Sequence, residues 1–367
     1  CAWSFWYVLS HSPCRHSGRR NNKQGNERKS MRESNMKKVL SWLFTALLIC
    51  CIGFTTQSVT ANAAIVSNGK KNYTYSELRT DLAQLQKRYA QHCKVNVIGQ
   101  TADKRKLYEV VIGNPDAKKH LLVIGNLHAR EHMTTQLCMK QIEYYLKSYN
   151  KKINGVKVSA TLEKVAIHYV PSCNPDGTAI SQKGFGAIRN KNLRKALRRM
   201  GGSSSRWKAN ARGVDLNRNW NIAFRRAGRR GSSGYHGPKA ASEREVQALV
   251  KWVNRIQKQG RITGLVSYHS TGSILYGRCN SHATRKVRNT TTKMYKVAKR
   301  LTGYRLMPTE SLSYAGGCSR EYFLYGREVP CITLEVGTGA APLSGGEFSS
   351  IWRKNKNVVI REAQLFD

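Results

Sequence analysis

Apolar positions recur along the chain with two different periods. From Tyr75 to Tyr89 they fall at Leu78, Leu82, Leu85 and Tyr89, one face of a helix opened by Ser76 and Glu77. Val95–Ile98, Leu107–Ile112 and His120–Ile124 read as strands, Thr134–Tyr149 as a helix and Val165–Val170 as a further strand. Between Lys183 and Gly237 the apolar runs thin out into a basic stretch with Gly and Ser, which predicts long loops and short helices. Ser242 with Glu245 three positions on has the form of a capping box opening another helix. Ile262–Tyr268 predicts a strand, Thr284–Leu301 a helix, Cys331–Val336 a short buried strand and Phe348–Leu365 a closing helix. Strands alternating with helices indicate an α/β sheet covered on both faces. No internal repeat or second module is visible, so one domain is expected.

Composition adds a constraint on partners. The 367 residues include 63 Lys or Arg against 21 Asp or Glu, a net charge of +42 that points to a polyanionic setting. With 40% hydrophobic residues the chain has material for a core, which excludes a wholly disordered protein. Residues 1–35 show no period and read as translated upstream sequence. Met36-Lys37-Lys38, an apolar run from Val39 to Phe54 and the Ala61-Asn62-Ala63 end have the layout of a secretory signal peptide over 36–63. The run is shorter than the roughly 20 residues a spanning helix needs, so no transmembrane segment is expected after cleavage. Loss of residues 1–63 removes nine basic and two acidic residues and leaves +35 on the body 64–367. That charge is spread along the chain, densest between Arg189 and Arg230, and no nucleic-acid motif accompanies it, so no specific nucleic acid is expected. Anionic cell-wall polymers are the expected partners outside a cell. The body's six cysteines, Cys93, Cys138, Cys173, Cys279, Cys318 and Cys331, leave bridges or buried thiols equally open.

Candidate chemistry collects at strand ends, where open α/β sheets place their sites. The strand Leu121–Ile124 runs into Gly-Asn-Leu-His128-Ala-Arg-Glu131, an imidazole and a carboxylate three residues apart. Such a pair is by itself a common surface pattern. The strand Ile262–Tyr268 ends on His269, and three ligands of this kind leave a fourth position for water, the arrangement of a catalytic zinc site. Glu335 lies in an otherwise apolar strand, where a carboxylate is costly unless it is paired or kept as an acid/base.

His128-Ala-Arg-Glu131, Asn174-Pro-Asp-Gly177, Gly213-Val-Asp-Leu-Asn-Arg-Asn-Trp220, His269-Ser270 and Thr333-Leu-Glu335 stand in the order and approximate spacing of the carboxypeptidase A-like zinc carboxypeptidases, the funnelins. The resemblance covers about residues 73–365. It implies a central mixed, mostly parallel twisted sheet and one zinc ion per chain, bound by His128, Glu131 and His269. It implies Glu335 as general base and Asn217 with Arg218 as the grip on a substrate carboxylate, which suits a guanidinium fork. Two positions depart from the family pattern. The family's oxyanion arginine follows a Trp, and here Trp207 is followed by Lys208, with Arg206 close by. The family's mobile tyrosine stands four residues before a Gly-Gly pair, whereas Tyr314 stands two before Gly316-Gly317.

The segment after that Gly-Gly pair lines the family's specificity pocket, and Arg320 in it would favour a substrate side chain ending in a carboxylate. With the compact loop around Lys208, this resembles the bacterial branch that cleaves γ-D-glutamyl-meso-diaminopimelate bonds of peptidoglycan peptides. The expected activity is therefore that of a bacterial, secreted or wall-associated peptidase on muropeptides. A general metallocarboxypeptidase acting on protein C-termini is the alternative, and a non-catalytic wall-binding protein on the same scaffold is the reading from another class.

Overall fold

Helix α1 (Tyr75–Arg88) starts at Thr74, whose side chain and that of Glu77 form a reciprocal capping box. It is followed by β1 (Cys93–Gln100), β2 (Lys106–Ile112), β3 (Lys119–Gly125), α2 (Met133–Lys147), the small hairpin β4 (Lys152–Ile153) and β5 (Val156–Lys157), α3 (Val158–Lys164) and β6 (Val165–Val170). Next come α4 (Pro175–Lys183), α5 (Lys191–Met200), α6 (Arg244–Gln259), β7 (Arg261–His269), β8 (Ile274–Tyr276), α7 (Arg285–Thr302) and β9 (Arg305–Leu306). A short helical stretch (Ser319–Glu321, continued by Tyr322–Gly326), β10 (Cys331–Glu335), α8 (Phe348–Asn355) and α9 (Val358–Ala363) complete the order. This computed structural model describes residues 31, 36, 63–70, 72–308 and 316–367. Ile65–Asp367 forms one compact unit by itself, and the expected signal segment lies almost wholly outside the described residues.

Eight strands form one mixed sheet in the order β1-β2-β6-β3-β7-β10-β8-β9. Its centre, β6-β3-β7-β10, is parallel throughout, and antiparallel pairings join β1, β2 and β8 to it. The expected α/β domain with helices on both faces is the architecture observed. Alternation along β3 shows how one strand serves two cores: Leu121 and Val123 pack with α1, α2, α8 and α9, while Leu122 and Ile124 pack with α6. On α6 the residues Val246, Leu249, Trp252, Val253 and Ile256 are all buried, each worth about 1.5–3 kcal/mol of transfer free energy at full burial.

Two local expectations are corrected. Ser242 does not cap α6: its hydroxyl donates to Glu243, which is the residue before the first turn, and Glu245 is buried beside Asn210. The closing helix breaks into α8 and α9 around Lys356 and Asn357. Of the two states left open for the body's six cysteines, the structure shows free thiols at all six. Among the described residues no helix is long and apolar enough to cross a membrane.

Candidate active site

Three neighbouring parallel strands deliver the site from their carboxyl ends. β3 leads through Asn126, held at φ 58, to His128 and Glu131; β7 ends on His269; β10 ends on Glu335, which is in register with His269 on the next strand. The Asn126 amide donates to the His128 carbonyl, and its Oδ1 accepts from the Ser172 and Thr178 hydroxyls, so the turn carrying the first two residues is fixed from below.

His128 Nδ1 lies 2.8 Å from Glu131 Oε1, and His269 Nδ1 lies 3.0 Å from Glu131 Oε2 and 3.1 Å from His128 Nδ1. All three residues are buried, and among the described residues they are the group of potential ligands whose atoms fall within 4.8 Å of one another. Burial alone would raise the Glu131 carboxyl, but the two imidazoles outweigh it and hold the group well below the usual carboxylate range. Burial lowers His269; it opposes charge on His128 too, yet Glu131 and Asp215 draw that group above its ordinary value. Two imidazole nitrogens and a carboxylate converging out of water form the donor set of a divalent metal, and two His with one Glu suit zinc with an open position. The residues present thus fit the group.

Behind His128 stands a residue to which the sequence pattern assigns no role. Asp215 is fully buried, with Oδ1 3.2 Å from His128 Nε2 and Oδ2 3.4 Å from Lys208 Nζ. It also accepts the backbone N–H groups of Asn217 and Gly234. Burial would raise its pKa, but His128 and Lys208 reverse this and keep it ionised. A carboxylate on the far nitrogen of a ligating histidine fixes the ring's tautomer and orientation. The readable signal was the Asp two residues before Asn217, the spacing of an Asx turn.

A cavity of about 190 Å³ opens onto the cluster. His128, His269 and Glu335 line it with Lys208, Asn217, Arg218 and Arg320, and Tyr276, Ser319 and Thr333 join them. Every described residue to which the sequence assigned a role, except Glu131 and the alternative cation Arg206, thus reaches one cavity, and Glu131 lies against both histidines. Lys208, not Arg206, is the cation that faces inward; Arg206 is exposed. Tyr314 lies outside the described residues.

The cationic wall is positioned by backbone straps. Ala129 N–H donates to the Lys208 carbonyl at 3.0 Å, which ties the turn bearing His128 and Glu131 to the lysine loop. Asn217 Oδ1 accepts from both the Ser319 N–H and hydroxyl, leaving its amide nitrogen as the end available to a ligand. Gly317 passes so close that a Cβ there would collide with the Arg218 carbonyl, and at φ 63 the position favours glycine. Trp220 N–H donates to the Gly317 carbonyl at 2.9 Å and Gly317 N–H to the Ile222 carbonyl at 2.8 Å, so the stretch bearing Arg320 is sewn to the stretch bearing Arg218. Arg320 is 7% exposed, donates through Nη2 to the Arg278 carbonyl, and keeps a buried Nε with no hydrogen-bond partner among the described residues.

Residues 78–357 match the family model of the zinc carboxypeptidases. The γ-D-glutamyl-L-diamino acid endopeptidase 1 of Lysinibacillus sphaericus is 26% identical over 297 residues, 78% of this chain and 71% of that protein. Mouse carboxypeptidase A4 is 31% identical over 183 residues, 48% of this chain and 40% of the relative. In fold, bovine thrombin-activatable fibrinolysis inhibitor, solved with tick carboxypeptidase inhibitor, superposes with a TM-score of 0.62 at 18% identity, over 80% of this chain and 97% of that one. With a match spanning most of Ile65–Asp367, the chain belongs to the zinc carboxypeptidase family and is a zinc metallopeptidase with one metal ion per chain.

Proposed function

We propose that this peptidase cleaves the γ-D-glutamyl-meso-diaminopimelate bond of peptidoglycan peptides, and that His128, Glu131 and His269 hold its zinc. When bound there, zinc supplies an acidified water and polarises the scissile carbonyl. Glu335, at the end of β10 and in register with His269, takes the proton of the attacking water and returns it to the leaving amine. Lys208 places positive charge where the carbonyl oxygen gains negative charge. Arg218 and the Asn217 amide grip a carboxylate on the carbon next to the scissile nitrogen.

The observation that carries the substrate class is a second guanidinium in the same cavity. A carboxypeptidase acting on ordinary C-termini needs one cationic clamp. Here Arg320 adds another, nearly buried and with Nε unspent, in a wall that already holds Arg218. A residue with a main-chain and a side-chain carboxylate fits both, and diaminopimelate is such a residue. The Lysinibacillus relative is named for a γ-D-glutamyl-L-diamino acid bond, which speaks for the same class of linkage. The 31% identity to mouse carboxypeptidase A4 favours the alternative, a general carboxypeptidase. The non-catalytic reading loses ground because Glu335 and both histidines share one cavity.

We place the enzyme outside the bacterial cell, at the wall, with anionic wall polymers as partners. In support, the division between compact units falls at Ala64/Ile65, directly after the expected cleavage region, and the Ile65 N–H is held by Glu143 Oε1 at 2.7 Å. The test incubates the zinc-loaded enzyme with L-Ala-γ-D-Glu-meso-diaminopimelate and with ordinary tripeptides, and identifies products by mass spectrometry. Release of diaminopimelate, with kcat/KM at least tenfold above that for the other peptides and abolition of this preference in Arg320→Ala, supports the reading. Equal or better turnover of ordinary C-termini contradicts it.

A further inference from the structure

From Lys183 to Ser242 the chain carries 16 basic residues and one acidic residue, Asp215, which is buried behind His128. The fold gathers a large part of this charge on one face beside the cavity. Helix α5 has its apolar side at Leu193, Leu197 and Met200, which pack with Trp207, Ala209 and Ala211, the segment that presents Lys208. Its other side carries Lys191, Lys195, Arg198 and Arg199, all exposed, with no carboxylate in the helix. The end of α5 meets the loop after the Arg218 segment. A Cβ on Gly213 would contact Met200 Sδ at 2.6 Å and one on Gly231 the Met200 Cβ at 2.9 Å, while Gly231 N–H donates to the Gly213 carbonyl at 2.9 Å. Arg230 Nε donates to the Arg212 carbonyl at 2.8 Å, which holds Arg229 and Arg230 in the loop that packs against Met200 at the C-terminal end of α5. These two are exposed as well. Among the described residues, Arg198, Arg199, Arg229 and Arg230 form no ion pair.

We propose that this face, α5 with the 229–230 loop, is a docking surface for a linear polyphosphodiester with a flexible polyol backbone, as found in anionic wall polymers, and that it holds such a chain beside the catalytic cavity. Guanidinium forks match phosphate oxygens bidentately, and four of them in succession suit a repeating phosphate better than a single anion. Helix α5 is 10 residues long, about 15 Å, room for several phosphates of an extended chain. Nucleic acid is disfavoured by what accompanies the charge. Helix α5 and residues 229–230 carry no aromatic side chain, and the aromatics elsewhere in 183–242 are buried (Trp207, Trp220) or half-buried (Phe185, Phe224, Tyr235), so the face offers bases little to stack on. A membrane is disfavoured too, because the exposed side of α5 carries no apolar residue to insert. The inference rests on the wall as the place of work and is independent of which peptide bond is cut.

The test measures binding and hydrolysis separately. The full-length, zinc-loaded protein is titrated with synthetic poly(glycerol phosphate) across a range of salt, in parallel with a single-stranded oligonucleotide of equal phosphate number. The quadruple variant Arg198→Gln/Arg199→Gln/Arg229→Gln/Arg230→Gln is compared with a control that removes equal charge elsewhere, Arg285→Gln/Lys286→Gln/Lys293→Gln/Lys296→Gln on α7. The docking-face variant is expected to bind poly(glycerol phosphate) at least tenfold more weakly. Its salt slope is expected to fall by up to about 3 units, near 0.7 for each phosphate no longer neutralised. Its hydrolysis of a small peptide should be unchanged, and the control should bind within twofold of wild type. Equal losses of affinity in both variants would show that the attraction is diffuse and overturn the proposal. Preference for the oligonucleotide would overturn the assigned occupant. A double variant, Arg198→Gln/Arg199→Gln, decides the matter if the quadruple one hydrolyses poorly: binding at wild-type strength contradicts the role of α5.

Discussion

Replacing Asp215 with Asn removes one charge and almost no volume from a fully buried position, and the consequences follow from the groups around its two oxygens. Oδ1 accepts the Asn217 N–H at 2.9 Å and lies 3.2 Å from His128 Nε2; Oδ2 accepts the Gly234 N–H at 3.2 Å and lies 3.4 Å from Lys208 Nζ. Every one of those partners is a donor, or becomes one when His128 binds a metal through Nδ1. An asparagine has a single acceptor oxygen, so either orientation turns an NH₂ group against two donors. One backbone N–H is then left unsatisfied in a buried place, a cost of about 1–3 kcal/mol. His128 also loses the carboxylate that fixes its ring, which for metal sites typically weakens binding about 10–100-fold, or about 1.4–2.7 kcal/mol. Zinc affinity measured by chelator competition should fall in that range, and the metal-free protein should melt lower. Because Asp215 shapes the turn that carries Asn217 and Arg218, KM for a carboxylate-bearing peptide should rise as well. If zinc affinity stayed at the wild-type value while stability fell, Asp215 would be a folding residue with no hold on the metal ligand, and its assigned role would be wrong.

Two further outcomes are expected. Glu335→Gln should bind zinc at wild-type stoichiometry by elemental mass spectrometry while kcat drops by roughly 10²–10⁴-fold, the usual worth of a positioned general base; retained turnover would assign the proton transfer elsewhere. Acid should destabilise the fold in two stages through a buried network between β1, β2, β3, β6 and α6. Burial, followed by the neighbouring His168, lowers His120 from 6.5 to about 4, so the unfolded chain takes up a proton that the fold refuses and stability is lost as pH falls from about 6.5 to 4. Burial would raise Glu109, but its bonds to His168, Arg255 and Asn96 hold it at about 2 against an ordinary 4.5; its contribution, present above about 4.5, is lost as pH falls towards 2. Urea midpoints against pH should lose the upper stage in His120→Gln and the lower stage in Glu109→Gln. A flat profile between pH 6.5 and 4 in the parent would contradict the first assignment.

Elements long enough to repeat a period were legible in the sequence. The strands that carry His128, His269 and Glu335 announced themselves as apolar runs ending in a chemical residue, because only the ends of buried strands can hold polar groups near solvent. Strands β8 and β9 have three and two residues, too short for alternation to register, and with them went Tyr276, which reaches the cavity. The Ser242–Glu245 spacing misled because tertiary bonds outbid the local one: the Ser242 hydroxyl accepts from Asn219 and donates to Glu243. Asp215 was in view inside its motif, but its task depends on His128, 87 positions earlier in the chain, and no local pattern reveals that pairing. The choice between Lys208 and Arg206 likewise awaited the fold, since nearby loop residues point in different directions.

Anomalous diffraction at the zinc absorption edge, from crystals of the zinc-loaded protein, tests the assignment of the metal centre most directly. One peak per chain should appear, bonded to His128 Nδ1, His269 Nδ1 and a Glu131 carboxylate oxygen, with its open side facing Glu335. A peak ligated by other residues, or no peak at this cluster in fully loaded and active protein, would contradict it.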